Sequence, residues 1–166
     1  MYVARKPTTL SRPAAKRTSR ERGNGFLEAA LALGPFFMIL FAIIDFSVAV
    51  LMKNTVQDAA REGVRYAITG QTMAGKGQDA SIKAIVQQYG MGFISDPSKI
   101  SITYFDPNNS FKVTNSNAGG NIVQVQVSGM SWAWMCPYAR DATALQYSAS
   151  SSDIVEPSPN AIPPAR

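Results

Sequence analysis

Glu28 and Asp45 are the residues of this chain whose surroundings demand a chemical explanation, because both carboxylates border an apolar run. No charge occurs over residues 29–44, and Phe26, Leu27 and residues 46–52 lengthen the run at its two ends. The uncharged part corresponds to about 16 residues, or roughly 24 Å of helix, against a hydrocarbon core of about 30 Å. The flanks must therefore be used, and they draw both acids towards the bilayer. An Asp costs roughly 2.5–3.5 kcal/mol at the bilayer centre and less near its edges. The acids are about 17 residues apart, roughly 25 Å along a helix, so each can face headgroups at an interface. For Asp45 a second reading stays open, in which the acid takes a partner, either a basic side chain or a neighbouring subunit's helix.

The remaining constellations carry less. The chain has no His, which removes the usual zinc sets and the Ser-His-Asp arrangement, and no carboxylate pair stands out, so no catalytic residue, cofactor or metal is expected. Residues 70–76 spell the opening of a phosphate-binding loop, but Gly77 stands where Ser or Thr would hold magnesium, and a helical pattern precedes the loop where a strand is needed. A flexible connector is the expectation. Asp106, Asn108 and Ser110 imitate the start of a calcium loop, but Phe111 replaces the required glycine and the terminal Glu is missing, which leaves turn chemistry. Cys136 is the sole cysteine and reads as a small buried hydrophobe, or as a thiol that pairs between chains.

Charge sets the orientation. Residues 1–22 hold Arg5, Lys6, Arg12, Lys16, Arg17, Arg20 and Arg22 against Glu21, whereas the 166-residue chain as a whole carries +5. With only Tyr2 to stack on bases, this leader is not expected to bind nucleic acid. Under the positive-inside rule it stays in the cytoplasm and the rest is exported. The expected division is a basic cytoplasmic leader over residues 1–23, a transmembrane helix over 24–52, an exported α+β domain over 53–150 and a disordered Pro/Ser-rich tail over 151–166. Ser47, Val48 and Ala49 form a small-x-small site, so release by a signal peptidase is the competing outcome.

The elements that must position these groups follow from periodicity. Pro35 lacks an N–H and should loosen the span near Gly34. Val56, Ala60, Val64 and Ile68 recur at helical spacing, so the span should continue as an amphipathic helix to about Gly70. Asp79 is placed to cap a second helix with Ile82, Ile85, Val86, Tyr89 and Phe93 on one face and glycines at 90 and 92 ending it. Ile100, Ile102 and Tyr104, then Phe111 and Val113, then Val123, Val125 and Val127 alternate with polar residues, and predict three strands, with a fourth over residues 143–150. The fold class is α+β with a small antiparallel sheet of three to four strands. Trp132, Trp134, Met135 and Tyr138 crowd one stretch, one tryptophan being assigned to core and the other to a contact.

The stretch RERGNGFLEAALALGPFFMILFAIIDFSVAV, followed by NTVQDAAREGVRYAITG, resembles the amino-terminal region of TadE-like proteins, minor pseudopilins of the Tad (Flp) pilus assembly system related to type IV pilins and type II secretion pseudopilins. The resemblance covers residues 20–70 and continues more weakly to about residue 150. It implies a pilin-like fold and cleavage by a prepilin peptidase after Gly23, with Asn24 as the new terminus and Glu28 at the fifth mature position. Ala29 stands where such proteins usually have an aromatic. The resemblance further implies that Glu28 pairs with the terminal amine of an adjacent subunit, and that the partners are other pilins or pseudopilins, Tad assembly proteins and membrane lipid; Pro35, as a bend that lets the helix pack against its fellows, and Asp45, through its partner, are the further candidate assembly residues. The implied location is the bacterial inner membrane, single-pass, with an extracytoplasmic domain that can join a surface pilus. Two other functions stay open: a membrane-anchored exported binding or scaffold protein that keeps its leader, and a soluble exported hydrolase released after Ala49.

Overall fold

The computed structural model describes residues 20–136, 139–158 and 162–166, with side chains from residue 25 onward. By contacts the chain forms two compact units, Met1–Ile39 and Leu40–Arg166. The first is represented by the amino-terminal part of helix α1 (Arg20–Ile68), which runs through Pro35 without interruption. The leader over residues 1–19 and Tyr138 lie outside the described residues.

The second unit is an α+β domain. It contains the rest of α1, a second helix α2 (Gln78–Tyr89) and four strands, β1 (Ile100–Asp106), β2 (Lys112–Thr114), β3 (Ile122–Trp132) and β4 (Leu145–Ile154). All pairings are antiparallel, in the order β2-β1-β3-β4. The alternation of β-branched and polar residues creates this sheet by giving it one apolar face. Val123, Val125 and Val127 are fully buried, and their partners across β1 include Tyr104, Ile102 and Ile100. Gly129, at φ 69°, supplies the left-handed residue of a bulge between Val127 and Met130, after which the apolar face resumes at Met130.

Against that face α1 buries Val56, Ala59, Ala60, Val64 and Ala67, a stripe of small and branched residues at helical spacing. Ile82 and Val86 of α2 complete the core, whereas Tyr89 of the predicted face is about half exposed at 49%. Gly63 has a steric role, because a Cβ there would overlap the side chain of Val86. The closeness of the two helices depends on that missing carbon.

Two expectations are corrected. Asp79 does not cap α2: the N-cap is Gly77, and Asp79 stands in the first turn with its carboxylate engaged elsewhere. Asp106 does cap a 3₁₀ turn (Pro107–Asn109), accepting from the Asn108 N–H at 2.9 Å, which is the turn chemistry expected of it. The tail is not disordered from residue 151. Strand β4 extends to Ile154, Val155 is 3% exposed and donates its N–H to Asn121 O, and Glu156 donates to Ile68 O. The Ser-rich composition resembles a linker, but the backbone of those serines completes the ladder of β3, which composition does not register.

Candidate functional site

Helix α1 changes character near Met52. Up to Leu51 most of its large apolar side chains face outward: Phe26 is 80% exposed, Ile39 62% and Phe46 70%. From Met52 onward one face is buried while Lys53, Asp58, Arg61 and Arg65 are exposed on the others. A span that is apolar all round and exposed has no stable place in water, whereas one-sided burial is how a helix joins a soluble core. Gly25–Ile68 contains a stretch long and apolar enough to cross a membrane, with a mean hydropathy of 2.3.

Of the residues singled out in the sequence, Gly23 and Asn24 fall in the first turns of α1, but their side chains are not among those described. Glu28 and Pro35 are exposed on the apolar part of the helix. No hydrogen bond or ion pair engages Glu28 among the described residues.

Asp45 behaves differently. It is 1% exposed, and its two oxygens accept separate backbone N–H groups, Oδ1 from Met135 and Oδ2 from Cys136, both at 2.9 Å. Consecutive amides gripping a carboxylate are a strong arrangement, since each is a charge-assisted hydrogen bond shielded from water. Of the two readings left open for this acid, headgroup exposure is incompatible with its burial. Nor is the partner in the structure one of the two expected: it is a loop of the same chain, neither a basic side chain nor another subunit's helix. Sequence reasoning missed Met135 and Cys136 in this role because every residue except proline carries a backbone N–H. The only signal was that Asp45 could not be left without a partner.

The loop that meets Asp45 follows β3. Cys136 is buried, as expected of a lone hydrophobic thiol. Both tryptophans are half-buried. The Trp134 indole donates to Thr143 O at 3.1 Å, whereas the Trp132 indole N–H and the Tyr147 hydroxyl are enclosed without a partner among the described residues. Burial pushes the Tyr147 hydroxyl above its ordinary range.

A second polar cluster lies where the carboxyl-terminal segment meets α2. Arg166 donates to Asp79 Oδ2 through Nε and Nη2, at 3.0 and 2.7 Å, and to Asn115 O through Nη1 at 2.6 Å, with its guanidinium 4.7 Å from the Tyr104 ring centre. Tyr104 donates its hydroxyl to Asp79 Oδ1, and Ala165 O accepts the first amide of α2, at Gln78. Gln78 and Asn117 are buried and hydrogen-bonded to each other, and Asn117 also donates to Pro164 O. Burial first, then the negative charge of Asp79, raises the Tyr104 hydroxyl well above its ordinary value, and the hydrogen bond to Asp79 raises Arg166. These groups consume each other's hydrogen-bonding capacity, so the cluster is a clasp that holds the segment down.

Taken together, the described residues form an α+β protein in which one helix is first apolar, exposed and long enough to cross a membrane, and then a core element. Residues 23–65 match the family model described as TadE-like protein, which gives this stretch the sequence of that family. The matched stretch covers 43 of the 166 residues and suggests a relation to Tad pilus components. No curated protein and no solved structure gives a significant match to the chain.

Proposed function

We propose that this protein is a minor pseudopilin-like subunit of Tad (Flp) pilus assembly or of a related secretion machine, and that it works by packing rather than by catalysis. The carrying observation is the contrast within one apolar helix. Asp45 has its hydrogen bonds supplied from inside the chain, whereas Glu28 is exposed and unpaired among the described residues. An exposed carboxylate in an apolar segment is stable in lipid only if a partner meets it. The positive amine of a neighbouring subunit, freed when a prepilin peptidase cuts between Gly23 and Asn24, has the right charge. Pairing would make assembly partly a charge-neutralisation step and would set register, although desolvation offsets much of the energy.

In this reading the basic leader stays in the cytoplasm, the apolar helix spans the inner membrane once, and the sheet domain lies on the extracytoplasmic side and supplies lateral contacts to other pilins or pseudopilins. Pro35 serves there as the point at which the helix adapts to its neighbours. The mass of the amino-terminal peptide, taken from membranes containing the matching peptidase, tests the processing step. A start at Asn24 supports it, and an intact leader beginning at Met1 refutes it. Glu28→Ala should leave cleavage unchanged and reduce co-isolation with partner pilins by roughly tenfold, the loss of about 1.4 kcal/mol. Undiminished recovery of those partners would remove the role given to Glu28.

A further inference from the structure

The loop that follows β3 is held at a height on α1 where the helix is still apolar and exposed. The carboxylate of Asp45 binds the amides of Met135 and Cys136, so these residues lie level with Ile43, Ile44 and Phe46, which are 58%, 37% and 70% exposed. The first cation after Asp45 is Lys53, about eight residues or roughly 12 Å further along the helix. The apolar exposed run continues between them, with Val50 at 42% and Leu51 at 53%. If the headgroups meet the helix near Lys53, Asp45 and the loop tip lie below them, at the edge of the hydrocarbon.

The composition of the loop suits that depth. Met135 is 55% exposed although it is apolar, and neighbouring Trp134 spends its indole N–H on Thr143 O, leaving the apolar ring free of a hydrogen-bonding demand. The exposed charges that follow, Arg140 and Asp141, are of opposite sign, so they cancel and can reach outward to headgroups. Asp45 then has a purpose: it ties the loop down and is itself relieved of its charge cost by two amides.

We infer that the loop around Trp134 and Met135 is a second membrane contact, which inserts into the headgroup–acyl boundary beside α1 and fixes the domain against the bilayer surface. The inference rests on α1 being the membrane anchor. It commits to lipid as the occupant of this surface because the surface is continuous with the apolar exposed part of the helix.

The full chain, reconstituted in vesicles of phosphatidylethanolamine and phosphatidylglycerol, provides the test. Met135→Cys in a Cys136→Ala background gives one labelling site and leaves both amides in place. A nitroxide there should be relaxed several-fold more by oxygen than by a water-soluble nickel chelate. Greater relaxation by the chelate would place the loop in water, and protection from both would place it against protein. Either result overturns the inference. An Ile39→Cys label in the same background keeps the two ideas apart: lipid contact at 39 with water at 135 removes only the loop contact, whereas water at both removes the anchor as well. Trp132→Phe leaves Trp134 as the single tryptophan, and lipid brominated near the headgroup should quench roughly half its emission. Full quenching by aqueous iodide instead would also overturn the inference.

Discussion

The two acids of α1 show how one helix solves the same electrostatic problem in opposite ways. Around Asp45 the chain folds back and supplies two amides, so the carboxylate becomes a structural fastener. Around Glu28 every described side chain is exposed, and no described residue pairs with the acid. The glycines of the same helix repeat the contrast. A Cβ added at Gly34 meets nothing within 4 Å, whereas at Gly63 it overlaps Val86. One part of the helix has its contacts inside the protein, and the other presents an apolar surface on which, in the proposed reading, a membrane or a neighbouring subunit packs.

The largest effect that would break this comparison is at Asp45. Asp45→Ala leaves two N–H groups without their acceptors, that of Cys136 buried and that of Met135 partly buried, and should destabilise the domain by about 2–4 kcal/mol, with faster proteolysis in residues 133–144. Glu28→Ala should leave the melting temperature in detergent unchanged. Equal shifts for the two variants would erase the distinction between the acids. Next in size is the glycine pair: Gly63→Val should cost about 1–3 kcal/mol through overpacking, while Gly34→Val should hardly alter domain stability. A melting curve for each variant sharpens the boundary between the two parts of the helix.

The smallest effect concerns the clasp at Tyr104 and Asp79, and its sign follows from linkage. The Tyr104 hydroxyl titrates higher in the folded than in the unfolded chain, so above pH of about 10 the unfolded state loses its proton first and stability falls. The contribution is fully present below that pH and is lost as pH rises towards the folded value. Tyr104→Phe should flatten the alkaline decline in urea midpoints, with part of the slope remaining because Tyr147 is raised in the same direction. At neutral pH the same variant should cost about 1 kcal/mol for the lost hydrogen bond to Asp79.

Much of the fold was legible because its signals are local. The helical spacing of Val56, Ala60 and Val64 and the alternation of Val123, Val125 and Val127 each state a periodicity and a buried face within a dozen residues. What could not be read were contacts whose partners carry no distinctive side chain or lie far away in sequence. Asp79 has the type and position of a cap, yet Tyr104 and Arg166 claim its oxygens. Residues 151–154 have the composition of a linker, yet the unpaired edge of β3 recruits them. Ala59, Ala60 and Gly63 form a small-residue patch that permits close helix packing, but nothing in their spacing names Val86 as the neighbour.

The amino-acid sequence by itself determined an apolar helix bordered by two acids, the strands that follow it and the likeness to a TadE-like segment, because hydropathy and periodicity are properties of neighbouring residues. Only the tertiary structure decided which acid would be satisfied within the chain. The amides that reach Asp45 are about 90 residues away, and a backbone N–H is the same group in almost every residue, so only folding can select the two that come within 2.9 Å.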